Sequence, residues 1–192
     1  MVTLAHILQE LGYNDDWITF GIVDEAYLRE QYAEYLVSED KNQEHYRAVT
    51  FWSFMSQVET ISDETIAHIF QLADNGPDNC DLSDDRIVTL VEHGPLTDKQ
   101  YTDLAIQHPR VLTPPIQRRY IRGTLRRKIK ASGIANNFEE IKARGDGQIQ
   151  LEMLEAPDIA RTHLEWLRDF GSNKAIRNRA REFLRSRRFA RS

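Results

Sequence analysis

Along most of the chain apolar residues recur at intervals of three and four, the period of a helix with one buried face. Between 61 and 107 one short pattern occurs three times. Ile61-Ser62-Asp63 leads to Ile66, Ile69 and Phe70; Leu82-Ser83-Asp84 leads to Ile87, Leu90 and Val91; Leu96-Thr97-Asp98 leads to Tyr101, Leu104 and Ala105. In each, Ser62, Ser83 or Thr97 is placed to cap the first free amides. The Asp that follows complements the positive helix end, and the apolar residue ahead of the cap can staple onto the one four positions beyond it. The starts lie 21 and then 14 residues apart, so each unit is one short helix with its turn. His93-Gly94-Pro95 is a stop signal between two of them, and Asn75-Gly76-Pro77-Asp78 punctuates the longer gap.

Upstream, the period predicts helices over 3–11 and 24–37, the second with Leu28, Tyr32, Tyr35 and Leu36 on one face. Residues 43–58 are apolar on most sides, with Ala48, Val49, Phe51, Trp52, Phe54, Met55 and Val58, which predicts a helix in the middle of a bundle. Core packing accounts for that run better than an aromatic cofactor box. Downstream, Thr113-Pro114-Pro115 starts a helix over 115–131. Residues 132–156 are the least patterned, broken by Ser132-Gly133, Asn136-Asn137 and Gly145-Asp146-Gly147. They read as a linker or protruding loop with one short helix near Phe138 to Ala143. Pro157 then opens a helix with Ala160, His163, Leu164 and Leu167 inward, Gly171 ends it, and Ser172 caps a last helix with Ile176, Ala180, Phe183 and Leu184 inward.

Leu164 to Leu167, a short turn, then Ile176-Arg177 followed by Ala180 and Leu184 resembles a HEAT-type helical repeat over about 30 residues. The resemblance implies stacked helical hairpins. The spacings of 21 and 14 upstream depart from the HEAT period of about 40, so a short solenoid and an irregular bundle both stand. Either is all-α, with about nine to eleven short helices packed as antiparallel hairpins.

A chain of 192 residues with 41% hydrophobic and 29% charged residues and a mean hydropathy of -0.56 is an ordinary globular protein, which excludes collagen-like and wholly disordered classes. Its apolar runs are too short to span a bilayer, and Met1 to Gly12 has neither a basic start nor a small-residue cleavage site. A cytoplasmic protein without a membrane partner is the expectation. Cys80 stands alone, so there is no internal disulfide framework and no Cys-rich zinc site. Without a secretion signal, Arg144-Gly145-Asp146 reads as a chance adhesion tripeptide.

The net charge of -5 conceals two opposite regions. Residues 1–109 hold 21 Asp and Glu against 5 Lys and Arg, whereas 110–192 hold 20 Lys and Arg against 9 acids. Sixteen of those 20 cations are arginine, whose planar fork suits phosphate and carboxylate. We read an acidic helical region, 1–109, and a basic helical region, 110–192, in one continuous domain. Such a division is expected where the two regions pair with each other or with a neighbouring copy head to tail, or where the basic end meets an acidic partner or nucleic acid.

Searching for chemistry returns no phosphate-binding glycine loop, no G-x-S-x-G elbow and no H-E-x-x-H helix. None of the six histidines, His6, His45, His68, His93, His108 and His163, has Glu three residues before it, as paired di-metal motifs require. His163, on an apolar stripe, reads as a satisfied core histidine. Asp78 and Asp81 around Cys80 oppose a thiolate. The acid pairs Asp15-Asp16, Asp24-Glu25, Glu39-Asp40 and Asp84-Asp85 are explained by capping. We therefore assign no catalytic, cofactor-binding or metal-binding residue, and expect a protein that is not an enzyme.

The positive signal is the placement of cations. Arg119, Arg122, Arg126 and Lys130 fall within about 80° of helix circumference, and so do Arg177, Arg181, Arg185 and Arg188. Each set forms a ridge whose natural ligand is an acidic protein surface or a phosphate backbone. Four cations in a row repel one another unless an anion is near. Of the nearby aromatics, Tyr120, Trp166, Phe170 and Phe189, only Phe189 is expected to be exposed, which favours recognition of a phosphate backbone or a protein over reading of bases. The primary reading is a helical interaction module, an adaptor or assembly factor, docking an acidic partner through its arginines. The alternatives are a nucleic-acid-binding protein using the same ridges, or an inhibitor- or immunity-type protein whose acidic N-terminal half binds a basic partner.

Overall fold

The computed structural model describes residues 2–74 and 82–186, the second stretch with side chains from 84 onward. The turn at 75–78, Cys80, Asp81, Arg188 and Phe189 lie outside the described residues, as do the side chains of Leu82 and Ser83 on which the expected cap rests. Every regular element among the described residues is helical, so the fold is all-α: α1 (Leu4–Leu11), α2 (Asp16–Thr19), α3 (Glu25–Val37), α4 (Gln43–Gln57), α5 (Asp63–Asp74), α6 (Leu82–His93), α7 (Asp98–Gln107), a 3-10 turn (Pro109–Leu112), α8 (Pro114–Arg144), α9 (Gly147–Glu155), α10 (Arg161–Phe170) and α11 (Lys174–Arg185). The chain divides into two compact units, residues 1–116 and 117–192.

In the N-terminal unit the caps form as the sequence dictates. Ser62 Oγ accepts the Thr65 amide at 3.0 Å, and Thr97 closes a full capping box with Gln100. Ile61 with Ile66, and Leu96 with Tyr101, are buried around their caps, as a hydrophobic staple requires. Ile69, Ile87, Leu90 and Leu104 are fully enclosed, α4 and α5 both pack on α6, and α1 packs on α3 and α4.

Helix α4 does not sit in the middle of the bundle. Its inward face carries Tyr46, Arg47, Thr50, Phe51 and Met55, while Val49 and Trp52 are 46% and 51% exposed. The polar residues turn inward because they have partners there. Arg47 Nη1 donates to the Gly12 carbonyl at 2.9 Å, closing the C-terminus of α1, where Gly12 takes the left-handed φ of 71°. The Tyr13 hydroxyl donates to Gln31 Oε1 at 2.7 Å, the Gln31 amide donates to Thr50 Oγ1 at 2.9 Å, and Thr50 Oγ1 lies 2.6 Å from Tyr13. This closed triangle satisfies three buried groups in one stroke. On α3, Leu28 and Tyr32 are buried as expected, whereas Leu36 is exposed.

The C-terminal unit corrects the expected loop over 132–156. Gly133 does break α8, with φ 78° and ψ 173°, but the helix resumes at once and runs to Arg144. The resumption is capped from a distance: Asp158 Oδ2 accepts the Ile134 amide at 2.8 Å. Asp146, the expected breaker, is instead the N-cap of α9 and accepts from Gln148 N and Ile149 N. Residues 157–160 form a turn, so α10 starts at Arg161 rather than at Pro157. Asn173, not Ser172, caps α11 by accepting the Ile176 amide at 3.0 Å, while the Ser172 amide donates to the buried Gln150 Oε1 at 2.8 Å. The core joins Leu125, Ile134, Ile141, Ile149, Met153, Leu164, Leu167, Ile176 and Ala180, and α10 and α11 form the most closely packed helix pair.

Candidate interaction surface

The two cationic ridges meet different fates. On α8, Arg122 is mostly covered and its Nε and Nη2 donate to Asp146 Oδ2 at 3.0 and 2.6 Å. One turn on, Arg126 Nε donates to Glu152 Oε2 at 2.9 Å. From the other side Arg179 of α11 pairs with Glu155 at the end of α9. The acidic helix α9 is thus clasped by arginines from both ridge helices. The anion that a run of four cations needs is, for Arg122 and Arg126, supplied by the same unit. Lys128 spans the α8 break to Glu140 at 2.6 Å, and this bond, followed by the charges of Lys128 and Arg144, holds the Glu140 carboxyl below its usual range. Arg119 and Lys130, at the ends of the α8 ridge, are exposed.

The α11 ridge remains outward. Arg177 Nη1 donates to the Gly171 carbonyl at 2.6 Å, and Arg181 Nη1 donates to Asn178 Oδ1 at 2.8 Å. Among the described residues Arg177, Arg181 and Arg185 hold no carboxylate in an ion pair, and Arg181 and Arg185 are exposed. The Arg177 bond has structural sense, since it satisfies the carbonyl of the C-cap Gly171 and sets a cation at the negative end of α10. Phe170, at that same end, is 69% exposed, contrary to the expectation that it is covered. By rotation it shares the face of His163 and Leu167, but it is the last residue of α10, where the buried stripe has ended. Trp166 stacks loosely on it with ring centroids 6.5 Å apart.

His163 is as read: 5% exposed, its Nδ1 accepts the Ala160 amide at 3.0 Å, and its ring packs on Phe138 at 4.5 Å. Burial pushes its pKa down, against a smaller upward pull from Asp158. No group of three or more His, Cys, Asp and Glu residues among the described residues is placed to hold a metal. No described helix is long and apolar enough to cross a membrane. Three features escaped sequence reasoning: the bonding of Arg122 and Arg126 to α9, the exposure of Phe170, and the outward apolar face of α4.

Comparison with known proteins returns nothing: no family model matches the chain, and no curated protein or solved structure is significantly similar to it. The helical fold and its charges therefore carry the functional reading alone.

Proposed function

We propose that this protein is a non-catalytic helical interaction module whose basic C-terminal unit docks a carboxylate-rich protein surface through α11. The observation that carries the reading is the contrast between the ridges. Arg122 and Arg126 are ion-paired with Asp146 and Glu152, whereas Arg177, Arg181 and Arg185 line one helix face with no ion pair among the described residues, Asp169 acting on Arg181 through charge alone while it is bonded to Arg168. Guanidinium groups so arranged bind carboxylates through paired N–H donors, and their rigid helix lowers the ordering cost of binding. The reading extends the HEAT-like resemblance of the α10–α11 hairpin, since helical repeats offer such faces to protein partners. It places the protein in the cytoplasm as an adaptor or assembly factor, with no cofactor.

A second reading, nucleic acid, is favoured by Phe170, an exposed aromatic next to the turn that Arg177 bonds, where a base can stack. One experiment separates the two. A labelled Glu-rich 20-residue peptide and labelled 20-nucleotide RNA and DNA are titrated against the full chain at two salt concentrations. The docking reading expects saturable peptide binding that is lost on changing Arg177, Arg181 and Arg185 to Glu. Steeply salt-dependent binding of RNA or DNA alone, lost in that variant and in Phe170→Ala, establishes the nucleic-acid reading instead.

A further inference from the structure

The N-terminal unit carries a surface of opposite character, independent of the α11 reading. Helices α4 and α6 pack side by side, and between them lies a groove of about 360 Å³ lined by Ala48, Val49, Phe51 and Trp52 of α4 and by Val88 and Thr89 of α6. Trp52 and Val49 are half exposed in it, and the His93 ring meets the indole edge-on at 4.7 Å. The one cation at its wall, Arg86, is turned inward: Nη1 donates to the Leu72 carbonyl at 3.1 Å and the guanidinium lies over the Trp17 ring. Asp85 of α6 also lines the groove.

Val49 also walls a second cavity, of about 320 Å³, between α3 and α4. Its lining includes Glu30, Glu34 and Asp40 with Tyr27 and Tyr46. Asp40 is engaged by His45 Nδ1 at 2.5 Å, but Glu30 and Glu34 hold no cation among the described residues. Two carboxylates four apart on an exposed helix face repel each other. An ammonium or guanidinium between them, against tyrosine rings, reverses that sign. Residues 1–116 as a whole hold 21 acids against 6 cations, a field that draws in a basic partner.

We propose that the two cavities receive a single amphipathic helix of a basic protein. Its apolar stripe lies against Trp52 and Val49 in the α4–α6 groove, and a Lys or Arg on a neighbouring turn enters the α3–α4 pocket between Glu30 and Glu34. This is helix-in-groove recognition with an aromatic anchor and a charged register pin.

The test starts from a random 16-residue peptide library displayed on phage and selected on the full chain. Enriched sequences are expected to carry apolar residues at i, i+3 or i+4, and i+7, with Lys or Arg on the flanking face. Calorimetry on one such synthetic peptide is expected to show at least tenfold weaker binding to Trp52→Ala and to Val49→Lys. Glu30→Lys combined with Glu34→Lys is expected to weaken binding by a similar factor and to flatten its salt dependence. Melting curves should change little, because these side chains are at least partly exposed, and two groove variants guard against one misfolding. Changing Arg177, Arg181 and Arg185 to Glu should leave this peptide's affinity within twofold, which separates failure here from failure of the α11 reading. The proposal is overturned if no peptide is enriched, if enriched peptides lack cations, or if they bind the Trp52 and Val49 variants undiminished. It is also overturned if sedimentation shows a homodimer that Trp52→Ala converts to monomer, since a second copy then fills the groove.

Discussion

Asp146 performs two tasks with its two oxygens, and the variant Asp146→Ala removes both. Oδ1 accepts the Gln148 and Ile149 amides at 3.1 Å each, and Oδ2 takes the paired donors of Arg122. Loss of a helix N-cap costs about 1 kcal/mol. The side chains of Arg122 and Asp146 are 18% and 33% exposed, so solvent screens the ion pair and brings its worth to about 1 kcal/mol. Asp146→Ala is therefore expected to cost about 2 kcal/mol, and Asp146→Asn, which keeps a capping oxygen, about 1 kcal/mol. The assay is native-state hydrogen exchange by mass spectrometry on the full chain across a urea series, read on peptides from α9 to α11. A double-mutant cycle of Arg122→Ala and Asp146→Ala should give a coupling near 1 kcal/mol. The two Arg122 bonds, the Ile149 and Gln148 amides and the Arg122 charge together outweigh desolvation, the largest single influence, and hold the Asp146 carboxyl below its ordinary value. A depressed carboxyl pKa stabilises the fold above the unfolded value near 3.8 and loses that contribution as pH falls through the folded value. The acid limb of the stability curve should thus flatten in Asp146→Asn. A coupling below about 0.3 kcal/mol, or an Arg122→Ala variant that loses ligand affinity without losing stability, refutes the assignment of Arg122 to the internal clasp.

Gly133→Ala should destabilise the C-terminal unit by about 2 kcal/mol in the same exchange experiment, because a Cβ there meets the Asp158 carboxylate at 2.7 Å on a backbone of φ 78°. Wild-type stability after Gly133→Ala would show that the α8 break is not built on this residue. Tyr13→Phe should cost about 1–3 kcal/mol in urea unfolding, since Gln31 and Thr50 lose a buried partner; an unchanged midpoint would show that the triangle does not form. Burial, the largest influence, raises the Tyr13 phenol above its ordinary pKa of 10.0, so that stability holds below pH 10 and falls as pH rises further, and Tyr13→Phe should remove that loss. His163 is a buried base with a depressed pKa, so its contribution is complete above the unfolded value of 6.5 and declines as pH drops toward the folded one. Exchange from α10 amides should rise between pH 6.5 and the folded value in wild type and stay level in His163→Gln, and equal slopes in the two proteins would exclude the histidine as the cause.

What was legible in the residues is what depends on neighbours in sequence. Helix class, the Ser62 and Thr97 caps, the buried stripes of α10 and α11 and the outward line of Arg177, Arg181 and Arg185 all follow from a rotation of 100° per residue and from amides left free at a helix start. Gly133 was legible as a break, but not as a break from which a helix immediately resumes. That resumption needs Asp158, which is 24 residues further along the chain.

Tertiary structure decided the rest, because the deciding partners are distant in sequence. Hydrophobicity placed the whole of α4 in the interior, yet Arg47 and Thr50 go in while Val49 and Trp52 stay out, because α1 presents the Gly12 carbonyl and Tyr13 and Gln31 present their polar ends. A buried polar group with its bonds made costs little, and the face that supplies those bonds is the one that turns inward. By the same logic α8 and α11 carry equivalent ridges as sequence, but α9 lies within reach of Arg122 and Arg126, at separations of 24 and 26 residues, and leaves the α11 face outward. The order of residues along the chain determined that the protein is helical and electrically divided. Which of its charges are bonded internally, and which remain outward for a partner, was determined by packing.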